Sequence, residues 1–448
     1  MDHSHRDARR GSRAGVNRVG MAPTAFLGLS HLGVISSIGW ASMGESVTAV
    51  DLDPSPVAKL QAGQLPVLEP ALEELFVAAR ARMTFSTDPS LIRDASLVVV
   101  ARDVPTDVGN ASDLSTVTAL IDAAIPHLRD GVTLVVMSQV PPGFMRRLGD
   151  LVRTRRAELR FQLYYWIETL IFGTAVERFL KPERIMLGCA EPAAPLPPAL
   201  EVGVGRFQAP VFRMRYESAE LTKTAINLYL CAAVTYANTL SDLCEAVGAD
   251  WSEMTPALRL DRRIGPAAYI RPGLGIAGGN LERDLVTLRS LCRAHGVDST
   301  FIDAMIDYND RRYQWVRRKL DLHVFSTVSR PVLAVWGLAY KRNTRSTKNS
   351  MALRVINDVG RRVEVRAWDP AVGVGDVDVP AKIVGDAAQA LDGADALLIL
   401  TDWPEFGNPP ADALRRMRRR VVIDGVGIVD RQRADLRNVT LVSMGLGD

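Results

Sequence analysis

At 448 residues and 47% hydrophobic content, the chain exceeds what one hydrophobic core supports and divides into two or three domains. A net charge of +3, with the basic residues spread along the chain, excludes a nucleic-acid stripe and a polybasic membrane patch and leaves a small molecule as the expected partner. Four cysteines, Cys189, Cys231, Cys244 and Cys292, without CxxC spacing, exclude a disulfide scaffold and a structural zinc and point to a reducing, cytoplasmic setting.

Residues 1–22 read as a disordered tail, with Met21 as a second usable start. The apolar stretch 25–41 contains Gly28, His31, Gly33 and Gly39 and runs into a strand ending at Asp51, which a cleaved signal does not need. No apolar run reaches the length of a membrane span. Residues 24–27, a glycine turn, a helix and 46–52 give strand, helix, strand, the opening of a doubly wound parallel sheet. Residues 95–101 and 132–138 are short and β-branched, as strands covered on both faces are. The Pro-rich segment 191–200 closes this first unit, a Rossmann domain over 23–205.

Residues 217–247 lack Gly and Pro and carry Leu221, Ala225, Leu228 and Ala232 at helical spacing, so the spacing predicts one long helix. Helical pattern from 281 to 320 makes 206–325 a central all-α domain. Strand patterns at 332–336, 363–368, 396–401, 421–424 and 440–443 make 326–448 a second α/β domain. The expected fold is α/β, with two Rossmann-like domains of parallel sheet joined by a central all-α domain.

GLSHLG, from Gly28 through Ser30, His31 and Leu32 to Gly33, follows a strand and opens a helix, so its amides and the helix dipole suit a pyrophosphate. The second glycine of the usual pattern, which allows closest approach to phosphate, is Ser30. Asp51, about twenty residues on, stands where a carboxylate accepts ribose hydroxyls and repels a 2′-phosphate, which favours NAD over NADP. An α/β turn without cofactor is the alternative for this pair.

From Asp51 onward, DLDPSPVAKLQAGQLPVLEPALEELF resembles the UDP-glucose/GDP-mannose dehydrogenase family. The likeness continues through FSTD (85–88), SDLSTV (112–117), SQVPPG (138–143), FLKPERIMLG (179–188), the ELTK helix, RIGPAAYIRPGLGIAGGNLERD (263–284), GLAYKRNT (337–344) and VVIDG (421–425). The resemblance implies NAD as cofactor, a nucleotide-linked sugar as substrate and a homodimer through the central helix. By the same resemblance Lys223 and Asn227, four residues apart on one helix face, hold the oxygen of the reacting alcohol, where a positioned cation stabilises the developing alkoxide. Asp284 matches the aspartate that helps accept the alcohol proton. Read without the resemblance, Lys223 is a solvated lysine and Asp284 a carboxylate favoured by a helix N-terminus. Nucleotide contacts are implied for Tyr269, Arg271, Gly275 and Lys341, with Arg263 reaching a neighbouring subunit. No metal is expected.

The chain departs from the family where acids are made. Family members that form uronic acids use a cysteine thiolate, and that position is Asn280, whose amide is not such a nucleophile. The IETLIFG segment keeps Glu168 but places Ile171 and Phe172 where the family has arginine and a second glutamate, and Gln139 replaces a threonine beside the cofactor. The expected reaction is therefore a single two-electron oxidation of a sugar hydroxyl, a secondary alcohol at C6 giving a ketone. An extended sugar such as the GDP-octose of lincosamide antibiotic pathways suits such a site. A redox-neutral epimerase with bound NAD, and a non-catalytic binding scaffold, are the competing readings.

Overall fold

The computed structural model describes residues 23–107, 109–432 and 436–447, so the tail expected over 1–22 lies outside the described residues. Eight strands form the first sheet: β1 (Thr24–Leu27), β2 (Val47–Val50), β3 (Met83–Ser86), β4 (Leu97–Val100), β5 (Val132–Val136), β6 (Phe161–Trp166), β7 (Ile185–Cys189) and β8 (Val211–Arg215). They lie in the order β3-β2-β1-β4-β5-β6-β7-β8, so the chain reverses direction across the sheet between β1 and β4. Such a reversal opens a crevice at the carboxyl ends of the strands, where α/β proteins bind ligands. Every residue of β1, β4 and β5 is buried because helices cover both faces, which is why these strands read as continuous apolar runs.

Two features of the first sheet were not read from the sequence. The sheet is parallel except at β6 and β7, which pair antiparallel through Tyr165 and Gly188. The first sheet also continues past residue 205, because the helix Pro198–Gly205 carries the chain back over the sheet so that β8 adds parallel to β7.

The long helix spans Tyr216–Val247 in 32 residues, about 48 Å at the α-helical rise. It stops at Gly248, whose φ of +74° is the left-handed conformation that ends a helix cheaply only in glycine. The helices Trp251–Leu260, Asn280–Ala294, Thr300–Arg311 and Gln314–Leu320 complete the central part. The second sheet contains β9 (Val332–Trp336), β10 (Glu364–Trp368), β11 (Lys382–Ile383), β12 (Ala396–Ile399), β13 (Val421–Asp424) and β14 (Thr440–Ser443), all parallel, in the order β11-β10-β9-β12-β13-β14.

Polar residues on the lower half of the long helix tie these parts together. Asn238 accepts the Gly273 N–H at 2.7 Å, Asp242 binds the Arg312 guanidinium at 2.6 Å, and Glu245 accepts from Trp315 Nε1 at 2.9 Å and from the Gly445 N–H at 2.9 Å. Among the described residues, no helix is long and apolar enough to cross a membrane.

Candidate active site

The turn after β1 forms the first part of the site. Gly28 has φ +102°, and a Cβ on Gly33 would lie 1.9 Å from the Gly28 carbonyl oxygen, so both glycines are required for helix His31–Ser42 to start tight against the strand. Asp51, 2% exposed at the end of β2, accepts the Leu29 N–H at 2.6 Å. This strand, turn, helix and carboxylate fit the adenosine diphosphate end of a dinucleotide. Gly28, Ser30, Leu32, Gly33 and Asp51 fall together there. Two residues that sequence reasoning missed complete the picture: Arg102 donates Nη1 to Asp51 Oδ2 at 2.5 Å, and Asp103 Oδ2 accepts the Leu32 N–H at 2.9 Å. The available signal was a charged Arg-Asp pair at the carboxyl end of the apolar β4.

His31 leaves the phosphate cradle for a different partner. Its Nε2 meets Glu69 at 2.8 Å, and its ring lies 4.1 Å from that of Phe172. Glu69 in turn accepts the N–H groups of Gly173 and Ala175, fixing the segment that carries Phe172. Lys341, from the turn after β9, places Nζ 5.5 Å from the Phe172 ring centroid. Burial pushes the Lys341 ammonium below its ordinary pKa, against the pull of Glu69 and Asp402. One chain of contacts thus runs from the cofactor turn through Phe172 to the second sheet.

The long helix supplies the centre. Lys223 Nζ donates to the Glu168 carbonyl at 2.7 Å and to Glu168 Oε1 at 2.9 Å. An ammonium has three donors, so a third is left for a ligand oxygen. Burial pushes Glu168 upward, but the charge and donation of Lys223 and the Leu170 N–H outweigh it, and the carboxyl settles below its ordinary range. One turn along, Asn227 donates Nδ2 to Asp284 Oδ2, and Gln139 donates Nε2 to Asp284 Oδ1 at 2.6 Å. Arg283, also missed from sequence, bonds Gln139 Oε1 and sits 3.3 Å from Asp284 Oδ1. Gln139, expected beside the cofactor, therefore has its side chain on the buried Asp284, because an amide both donates to that carboxylate and accepts from Arg283.

Asn280 begins helix Asn280–Ala294 with its side chain exposed. The start of that helix is fixed by Glu282, which accepts the Gly279 N–H at 2.7 Å. Cys231, two turns below Lys223, feels the charges of Asp284 and Glu282 but is fully buried, and desolvation pushes its thiol up to about 12. A thiol so raised is not a thiolate near neutrality. All four cysteines are free, and Cys292 lies well down the Asn280 helix.

The nucleotide-binding expectations spread further. Gly275 has φ +110°, and a Cβ there would meet Asn309 Oδ1 at 2.4 Å. Arg271 donates to the Val426 carbonyl at 2.9 Å, joining the central part to the turn after β13. Tyr269 is 56% exposed, and Arg263 is exposed and paired with Asp261. The single chain does not bring Arg263 to the Lys223 cluster. No cluster of side chains able to hold a metal occurs among the described residues.

A dinucleotide cradle on one sheet, a half-buried ammonium and amide on the long helix facing a buried carboxylate on the next part of the central domain, and a second parallel sheet define the class of NAD-dependent dehydrogenases with separate cofactor and substrate domains. Matches to known proteins narrow the class. Residues 23–198, 217–311 and 334–431 match the NAD-binding, central and UDP-binding domains of the UDP-glucose/GDP-mannose dehydrogenase family, and the chain belongs to that family. It is 30% identical to UDP-glucose 6-dehydrogenase AglM of Haloferax volcanii, covering 91% of this chain and 97% of that protein. It is 29% identical to UDP-glucose 6-dehydrogenase TuaD of Bacillus subtilis over 90% of this chain and 89% of the relative. The structure of a UDP-glucose dehydrogenase from Pyrobaculum islandicum superposes with a TM-score of 0.83 at 25% identity, covering 96% of this chain and 99% of the other. The protein is an NAD-dependent nucleotide-sugar dehydrogenase acting on a CH–OH group.

Proposed function

We propose that the protein removes one hydride from a secondary alcohol of a nucleotide-linked sugar and releases a ketone. The observation that carries this reading is the coexistence of the Lys223–Glu168 pair and, one turn along the same helix, the Asn227–Asp284 pair with an amide, Asn280, at the head of the helix that bears Asp284. Bound NAD supplies the acceptor for the two electrons that leave the carbinol carbon with its hydrogen. Lys223, with its third N–H on the alcohol oxygen, stabilises the negative charge that develops there. Asp284, held by Asn227 and Gln139, is the base toward which the hydroxyl proton moves, directly or through water.

A second oxidation of a primary alcohol would need a thiolate to capture the aldehyde, and the raised pKa of buried Cys231 disqualifies the cysteine nearest this cluster in the long helix. Phe172, tilted against the His31 ring beside Lys341, offers no carboxylate for hydrolysing an acyl intermediate. A secondary alcohol needs neither. A C6 carbinol of an extended sugar, as in the GDP-octose of lincosamide antibiotic biosynthesis, is the substrate type that fits this reading.

The active form is a homodimer. Tyr229, Tyr236, Leu243 and Val247 are exposed on the long helix and recur seven and four residues apart, so they form one apolar stripe on a helix that a second copy covers. Product analysis tests the chemistry. Hydroxylamine is expected to trap a ketone two hydrogens lighter than the substrate; an untrapped carboxylate, or an isomer of unchanged mass, defeats the proposal.

A further inference from the structure

The adenosine diphosphate end of the cofactor site is already engaged by the protein's own side chains. Two groups of a Rossmann site anchor that end: the helix N-terminus, which takes the pyrophosphate anion, and the carboxylate on the second strand, which takes ribose hydroxyls. Here the first anchor holds the Asp103 carboxylate, whose Oδ2 accepts the Leu32 N–H at 2.9 Å. The second holds the Arg102 guanidinium, whose Nη1 lies 2.5 Å from Asp51 Oδ2. The backbone fixes both residues: the Arg102 N–H donates to Ser138 Oγ at 2.9 Å and the Asp103 N–H to Ser30 Oγ at 2.7 Å. Ser30 is thus explained. It stands where the usual glycine would stand and its hydroxyl receives the residue that caps the helix.

We propose that Arg102 and Asp103 are an internal occupant of the cofactor site that sets both its affinity and its choice of cofactor. The inference rests on NAD being the cofactor. An anion at a helix N-terminus competes directly with a pyrophosphate for the same N–H groups and the same dipole, so Asp103 must leave as the dinucleotide enters. Arg102 neutralises Asp51, the group whose charge would otherwise repel a 2′-phosphate, and its guanidinium is suited to bind one. Asp51 therefore repels a 2′-phosphate less than an unpaired carboxylate would, and the preference for NAD is narrower than Asp51 alone would give.

Calorimetric titration of the full chain with NAD, NADP and ADP-ribose tests this without recourse to turnover. Asp103→Asn keeps a cap for Leu32 while removing the charge, and it is expected to tighten NAD and ADP-ribose by about fivefold or more. Arg102→Ala is expected to widen the preference for NAD over NADP by about tenfold, since it leaves Asp51 unpaired. Circular dichroism verifies that both variants are folded, and Asp103→Ala repeats the first comparison at an exposed position that tolerates substitution. Unchanged or weaker NAD binding in both Asp103 variants, or an unchanged cofactor ratio in Arg102→Ala, overturns the proposal while NAD use stands. Failure of wild type and every variant to bind any of the three ligands overturns the cofactor assignment as well.

Discussion

Lys223 holds two of its three donors on Glu168, and that pairing makes its contribution measurable in two ways. Lys223→Ala is expected to lower kcat by about a hundredfold or more while NAD affinity measured by titration stays near that of the wild type, because the lost charge acts on the developing alkoxide. A small loss in kcat would move the chemistry elsewhere. Glu168 reports the same pair through pH. Its carboxyl lies below the ordinary 4.5 in the folded chain because Lys223 and the Leu170 N–H outweigh burial. A depressed carboxylate contributes stability that is complete above the unfolded value and is lost as pH falls through the folded one. Denaturant unfolding over a pH series should therefore show wild type losing stability below about 4.5 more steeply than Glu168→Gln, and parallel curves would contradict the pairing. Lys223 and Asn227 were singled out because a helix puts positions four apart on one face, and Asp284 because its flanking motif matched the family. Arg102, Asp103, Arg283 and the true neighbour of Gln139 were not. Gln139 and Asp284 are 145 residues apart, and no local period encodes a contact between the loop after β5 and the first turns of the helix Asn280–Ala294.

Among the elements, the long helix and the segment 273–284 carry the proposed site. The helix was legible from its apolar spacing and from the absence of Gly and Pro over 217–247, and it runs from Tyr216, one residue before that run, to Val247. Strands β6, β7 and β8 were not singled out. β8 is largely exposed at the edge of its sheet and β7 reverses direction, so neither presents the continuous buried run that marks β4 or β5. The segment 273–284 turns on Gly275, Gly278 and Gly279, all with positive φ. Gly275→Ala combines a left-handed backbone with a Cβ 2.4 Å from Asn309 Oδ1, and Asn309 in turn accepts the Ile276 N–H at 2.6 Å. A loss of about 1–3 kcal/mol in denaturant unfolding is expected, with weaker nucleotide-sugar binding. Stability and binding both equal to wild type would show that this turn does not shape the site.

In the whole molecule, three parts meet around one helix, and that order was readable because each sheet announces itself by buried β-branched runs and the middle by the run 217–247 without Gly or Pro. In the proposed homodimer the stripe on the same helix carries the contact between copies. Leu243→Glu, which puts a charge on a residue that is 53% exposed in one chain, is expected to give monomers in sedimentation velocity where wild type gives dimers. A dimeric Leu243→Glu would place the interface elsewhere. The central claim is that this family member stops after one hydride, and NADH formed per nucleotide sugar consumed measures it most directly. The account predicts one NADH for the wild type and still one for Asn280→Cys, since a ketone has no further hydride on its carbonyl carbon and Phe172 leaves no second carboxylate for hydrolysis. Two NADH and a uronic acid from either protein would contradict it.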